Sequence, residues 1–353
     1  MVSGGADSVA LARLVPELFS EQSYTILHVN HGLRGEDADQ DEAFVRGLAD
    51  ELGIPCVVRR FQLAAPEVVA GKNVEALGRQ LRYQAAAELL QELNAPAAAP
   101  GAPGAPAPAP APGAPATPAA PAPRIITAHT ADDRTETFLM RVIKGGGRGA
   151  LAGILAKSPC PATAGDPQPL VIRPLLACES QQLRSYLRQI GQPWRDDATN
   201  ADTRYLRAGV RHQLVPLMLA RNPRLHQTLG RSLDLLADED AYLESLVDAA
   251  AAELLQQGHD DEGWPCATLA AQAGGLDPVL LRRLVRRACI YVMPADERLE
   301  AQHINTVIQG LQRVGFATDI PGAVEVRRGR DTLVIRRKKP HELPASQRFR
   351  HGK

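Results

Sequence analysis

The stretch Val2-Ser3-Gly4-Gly5-Ala6-Asp7-Ser8 decides how the rest of the chain is read. Two glycines allow a tight backbone turn whose N–H groups come close to a ligand. Ser3 and Ser8 add hydroxyl donors, and Val9, Ala10, Leu11, Leu14, Val15 and Leu18 then recur at helical spacing. The loop therefore empties into a helix N-terminus, where exposed N–H groups and the helix dipole favour an anion. Asp7 fits beside a phosphate only if a cation bridges the two. The bland alternative is a Gly turn capped by serine.

The full Ser-Gly-Gly-x-Asp-Ser string resembles the PP-loop of the N-type ATP pyrophosphatases, which cleave ATP between the α- and β-phosphates. It is not a Walker loop, because the Gly-Lys-Ser/Thr ending is absent.

Composition sets the bounds. The 353 residues suit two domains, or one domain and an appendage. Lysine plus arginine equal aspartate plus glutamate at 40 each, so any nucleic-acid surface must be local. The five cysteines, Cys56, Cys160, Cys178, Cys266 and Cys289, show no C-x-x-C spacing and signal no zinc ribbon or redox centre. An odd count without a signal peptide suits reduced thiols and a cytoplasmic location. No apolar run approaches the roughly 18 residues of a membrane span, so no membrane partner is expected.

Strand-like and helical patterns alternate through the first half. Tyr24 to Asn30 reads as a strand ending in Asn30-His31-Gly32-Leu33-Arg34-Gly35, at the sheet edge where α/β folds bind ligands. His31 and Arg34 then face the side of the phosphate loop, although a satisfied loop histidine is also an adequate reading. An acidic helix, Glu36 to Leu52, has Ala38, Phe44, Val45, Leu48 and Leu52 as its inner face and its carboxylates in solvent. Ile54 to Phe61 is the next strand. Asn73 caps a helix on which Glu75, Arg79, Arg82 and Tyr83 share one side.

Residues 95–123 are almost only alanine, proline and glycine, and read as a disordered insertion inside the domain. Deleting 98–121 is expected to leave fold and activity nearly intact.

Arg124 to His129 resumes the sheet. Asp132 or Thr130 caps a helix with Phe138, Leu139, Val142 and Ile143 inward, and Asp133 and Glu136 share one face near its start. These carboxylates are either an N-cap cluster or, together with Asp7, a Mg²⁺ site over ATP phosphates. Val171 to Leu176 is extended, and Glu179 to Ile190 is an amphipathic helix. A basic helix beginning near Asp202 carries Arg204, Arg207, Arg211 and His212, as a charged outer face or a phosphate contact. Arg224 to Gln257 is one long helix or two. Asp277 to Tyr291 and Glu297 to Val314 are further helices. Ala323 to Arg328 and Thr332 to Arg337 form a hairpin, and a basic tail follows.

The expected fold is α/β: a doubly wound, mostly parallel sheet followed by a smaller, mainly helical region with a C-terminal hairpin. The expected domains are 1–220, a PP-loop domain containing the 95–123 insertion, then 221–337, a helical domain with the hairpin, and 338–353, the tail.

Several segments together closely resemble the tRNA(Ile)-lysidine synthetases. They are Ser3 to Ser8, His28-Val-Asn-His-Gly-Leu-Arg34, Asn73-Val-Glu-Ala through Arg82-Tyr83, Ala128-His-Thr-Ala-Asp-Asp-Arg-Thr-Glu-Thr137, Ile172-Arg-Pro-Leu-Leu176, and Asn200-Ala-Asp-Thr-Arg-Tyr-Leu-Arg207 with Val210-Arg-His212. The resemblance implies ATP-dependent adenylation of the C2 oxygen of the wobble cytidine in an isoleucine tRNA with a CAU anticodon. Free L-lysine then displaces AMP and gives lysidine.

On that basis Ser3, Gly4, Gly5, Ala6, Asp7 and Ser8 cradle phosphate, with His31 and Arg34 beside them, and Asp7 and Asp133 hold Mg²⁺. Glu136 is a candidate for holding or deprotonating lysine, and Asp133 could share that role. Arg82, Arg211, His31 and Arg34 could stabilise the phosphates or the activated base, and a homodimer is left open. The alternatives are a tRNA thiolase, disfavoured by the missing Cys-x-x-C pair, and a non-catalytic RNA-binding relative.

Three departures stand out: the Ala/Pro insertion, the chain's end near the hairpin, short of the extra domain of longer family members, and the two residues before Ser3. Two residues are too few for a central strand, so an apolar segment of about five or more residues is expected upstream.

Overall fold

The computed structural model describes residues 1–19, 23–33, 35–63, 74–94, 124–162, 168–195, 206–294 and 297–342. The 95–123 tract, Asn73, Arg34, Arg204 and the tail beyond Glu342 lie outside the described residues. Two compact units emerge, Met1–Ala237 and Asp238–Lys353.

In the first unit the elements are α1 (Ala6–Leu18), β1 (Ile26–Asn30), α2 (Glu36–Leu52), β2 (Cys56–Arg60), α3 (Val74–Asn94), β3 (Arg124–Ile126), α4 (Ala131–Ile143), β4 (Lys157–Pro159), β5 (Leu170–Ile172) and α5 (Ser180–Gln189). Strands β1 and β2 pair in parallel, as do β3 and β5, while β4 runs antiparallel on β5. The short strand β4 carries no periodic signal in the sequence. Met1 and Val2 lie between the two sheets: the Met1 amine donates to Ile126 O at 2.8 Å, and Val2 N donates to Leu27 O at 2.9 Å.

Helix α1 is anchored by Val9, Ala10, Leu11 and Val15, which pack with Val45, Leu48 and Leu187. Leu18 instead lies 69% exposed at the C-terminal end of the helix. On α2 the buried face contains Asp41 and Glu42 as well as Ala38, Val45 and Leu48, correcting the expectation that its carboxylates are solvated. Glu42 is tied down by Arg60, Arg46 and Asn30, and Asp41 by Arg195. Arg46 is one helical turn from Glu42, but Asn30, Arg60 and Arg195 lie outside the helix, so its periodicity could not show them.

A larger correction concerns α4. Val142 and Ile143 are more than half exposed, whereas Arg134, Thr135 and Glu136 are buried. The helix buries a polar face because most of that face is engaged: Arg134 Nη2 with Asp234, Thr135 with His226 Nδ1, Glu136 with two arginines, leaving Arg134 Nε buried without a hydrogen-bond partner. A buried polar face survives only when it is paired in this way.

After residue 205 the chain forms a short helix, Leu206–Gly209, a π turn, Val210–Leu214, and a helix, Val215–Arg221. Helix α6 (Leu225–Leu254) supplies residues to both units.

The second unit holds β6 (Leu255–His259), β7 (Pro265–Ala270), α7 (Pro278–Val292), α8 (Ala301–Leu311), β8 (Ala317–Ile320), β9 (Val324–Arg328) and β10 (Thr332–Arg337). The expected hairpin is β9–β10, and it sits inside a five-stranded antiparallel sheet ordered β6-β7-β10-β9-β8. Strands β6, β7 and β8 were not legible: their sequences are short and polar on one face, and β6 continues directly from a long helix. The core of this unit joins Ala267, Leu269, Val326, Leu333 and Ile335 to Leu284, Val285 and Val307.

Candidate active site

Gly4 opens the phosphate loop at φ +98°, a left-handed conformation that a side chain would strain. The Ser8 hydroxyl braces the turn. It accepts from Ser3 N at 3.1 Å and Gly4 N at 3.2 Å, and donates to Gly5 O at 2.9 Å. Gly5 is the N-cap of α1 and no side chain caps that helix, so its first-turn N–H groups keep their capacity for an anion. From behind, Arg195 N donates to Gly4 O at 2.9 Å.

Asp7 sits in the first turn of α1. Its Oδ2 accepts from Ser180 Oγ at 3.0 Å, while Oδ1 is buried with no hydrogen-bond partner. Burial, with help from Asp133 and Asp132, pushes its carboxyl up to about 6. Ser180 begins α5 and ties three elements together, because its N also donates to Asp132 Oδ2 at 2.8 Å and its hydroxyl lies 3.2 Å from Thr130 Oγ1. Sequence reading missed Ser180. Its only local mark is its place in the first turn of an amphipathic helix.

Thr130 caps α4, and Asp133 completes a capping box by accepting from Thr130 N at 2.9 Å. Asp133 Oδ1 accepts from Arg207. Glu136, 2% exposed, accepts from Arg207 Nε at 2.9 Å and from Arg211 Nε at 2.6 Å. The carboxylates expected at this helix start are therefore both a cap and an ion-pair cluster.

His31 follows β1 at the expected edge. Asn30 Oδ1 accepts from Gly32 N at 2.9 Å and fixes the turn. Burial, then the nearby Arg82 charge, lowers His31 to about 4, and its Nδ1 is buried without a partner. His129, held by Thr127 Oγ1 at 2.9 Å, is lowered to about 4, mainly by burial. Both imidazoles are neutral at pH 7. Arg82 is exposed on α3.

Whether a cation fits here depends on the donor set. Among the described residues no three His, Cys, Asp or Glu side chains cluster as a metal site. The buried, unpaired Asp7 Oδ1 is nevertheless a vacant anionic ligand. It fits a cation whose other ligands are phosphate oxygens and water, the usual way Mg²⁺ is held. Asp133 is engaged on both oxygens and could join only if Arg207 moved.

A family model described as PP-loop domain matches residues 1–99 and 118–218. The tRNA(Ile)-lysidine synthase of Solibacter usitatus is 33% identical over 350 residues, 97% of this chain and 68% of that protein. The chain belongs to the tRNA(Ile)-lysidine synthase family. The synthase of Thermus thermophilus is likewise 33% identical over 349 residues, 99% of this chain and 58% of its own length. The chain thus spans about three fifths to two thirds of the length of these two synthases. A U34-tRNA thiolase from Methanococcus maripaludis aligns at TM-score 0.49 and 16% identity over 67% of this chain. Among the described residues no helix is long and apolar enough to cross a membrane.

Proposed function

We propose that the chain ligates free L-lysine to C2 of the wobble cytidine of a CAU-anticodon isoleucine tRNA, through an adenylated cytidine and with release of pyrophosphate and AMP. Family membership with the phosphate loop intact carries this reading.

The first-turn N–H groups of α1 and the Ser3–Ser8 turn bind the departing phosphates, as the oriented donors of an anion site do. Mg²⁺, bound through Asp7, would neutralise phosphate charge. Neutral His31 and the Arg82 guanidinium beside it border the same edge and orient the nucleotide, with Arg34 assigned there from its motif. Asp133 and Glu136 hold the lysine ammonium, and a carboxylate of this pair takes its proton as the amine attacks C2. Arg211 supplies positive charge for phosphate.

The test incubates unmodified tRNA transcript with labelled ATP and labelled lysine. Lysine label in tRNA, matched by AMP, supports the reading. Sulfur transfer, or tRNA binding without AMP, contradicts it.

A further inference from the structure

The acidic pair assigned to lysine is already occupied by arginines. Arg207 bridges Asp133 and Glu136, and Arg211 places Nε and Nη2 at 2.6 and 3.0 Å from Glu136. The Glu136 side chain is 3% exposed, while those of Arg207 and Arg211 keep 30% and 38%. Each arginine therefore reaches from solvent to a carboxylate that solvent does not reach. Stripping a buried carboxylate of its cation is strongly unfavourable, so the guanidinium groups can leave only as another cation arrives. An ε-ammonium is such a cation. Phosphate is the anion best matched to a departing guanidinium, because it accepts two parallel N–H bonds. Arg211 also lies on the π turn Val210–Leu214, a wider backbone turn of a kind that recurs at functional sites.

We propose that Arg207 and Arg211 are positioning residues that stand in for the lysine ammonium in the free site, and that tRNA phosphates draw them outward as lysine takes their place on Asp133 and Glu136. The inference rests on the lysine-holding role given to this pair above. The single ε-ammonium neutralises the buried Glu136, Asp133 keeps its hydrogen bonds from Thr130 N and Thr130 Oγ1, and the two departing guanidinium charges pass to phosphate. Lysine and tRNA then bind with positive coupling, and each raises the other's affinity by the same factor.

The test is calorimetric titration of lysine into the whole chain, with and without unmodified tRNA. The non-cleavable α,β-methylene analogue of ATP is present throughout. The wild-type affinity for lysine rises at least about fivefold with tRNA. Arg211→Gln and Arg207→Gln bind lysine at least about fivefold tighter than wild type without tRNA, and tRNA then adds little. Arg211→Lys, which keeps a cation, stays with wild type. Unchanged or weaker lysine binding in folded Gln variants overturns the inference, as does a wild-type affinity indifferent to tRNA. If both Gln variants fail to fold, the wild-type comparison decides alone. Lysine incorporation with cleavable ATP is run in parallel. Incorporation without coupling defeats only this inference, whereas no incorporation defeats the ligase reading itself.

Discussion

At the scale of single residues, Asp7 is held where its charge is costly. Its carboxyl is raised to about 6 from an ordinary 3.8, so the folded chain binds its proton more tightly than the unfolded chain does. The stability this gives is present below about 3.8 and is lost as pH rises through about 6. Asp7→Asn keeps the acceptor for Ser180 and removes the charge. It should raise stability at pH 7 by up to about 3 kcal/mol, and the gain should vanish near pH 4. Thermal unfolding of both proteins from pH 4 to 8 checks this, and a gain independent of pH would contradict it. The same variant should lose pyrophosphate release. Gly32 is a second case. It sits at φ +65°, and a Cβ there would lie 2.9 Å from Phe61 O. Gly32→Ala should cost about 1–3 kcal/mol, measured by urea unfolding, and should displace His31 from the loop edge.

At the scale of elements, α4 shows where sequence patterning stops. The Thr130 cap and the run to Ile143 were legible from Thr130, Asp132 and Asp133, because capping chemistry is local. Which face turned inward was not. Burial of Arg134, Thr135 and Glu136 depends on Asp234, His226, Arg207 and Arg211, all more than 70 residues away. The same holds for α2, where the partners of Asp41 and Glu42 include Arg195 and Arg60.

The double role of Asp133, as cap and as arginine partner, makes a separation possible. Thr130→Ala removes the cap hydroxyl and should cost about 1 kcal/mol while retaining most activity. Asp133→Asn should abolish AMP formation with tRNA affinity within a few-fold. Comparable loss of AMP formation in both variants would assign Asp133 to the helix start alone. In the second unit, Gly310 lies against Phe316, and a Cβ there would meet the ring at 2.5 Å. Gly310→Ala should therefore destabilise by about 1–3 kcal/mol, as overpacking does.

At the scale of the whole molecule, the α/β unit was legible because βα alternation and strand-end loops mark it in one dimension. The C-terminal sheet was legible only at β9–β10, where Gly329-Arg330-Asp331 separates two alternating strands. Strands β6, β7 and β8 pair across longer separations and carry weak alternation. The two units have separate cores. Leu333→Ala should therefore lower amide protection on β7, β9 and β10, with a cost of about 2–5 kcal/mol, and leave β1 and α1 protected. Equal loss in both units would show that they unfold as one body.

The most direct measurement is nucleoside analysis of an unmodified CAU-anticodon isoleucine tRNA after incubation with the chain. The account predicts that the wobble cytidine is replaced by lysidine only when ATP and lysine are both present, and that Asp7→Asn leaves it as cytidine. An unchanged cytidine with the folded wild-type chain, or a thiolated nucleoside in its place, would contradict it.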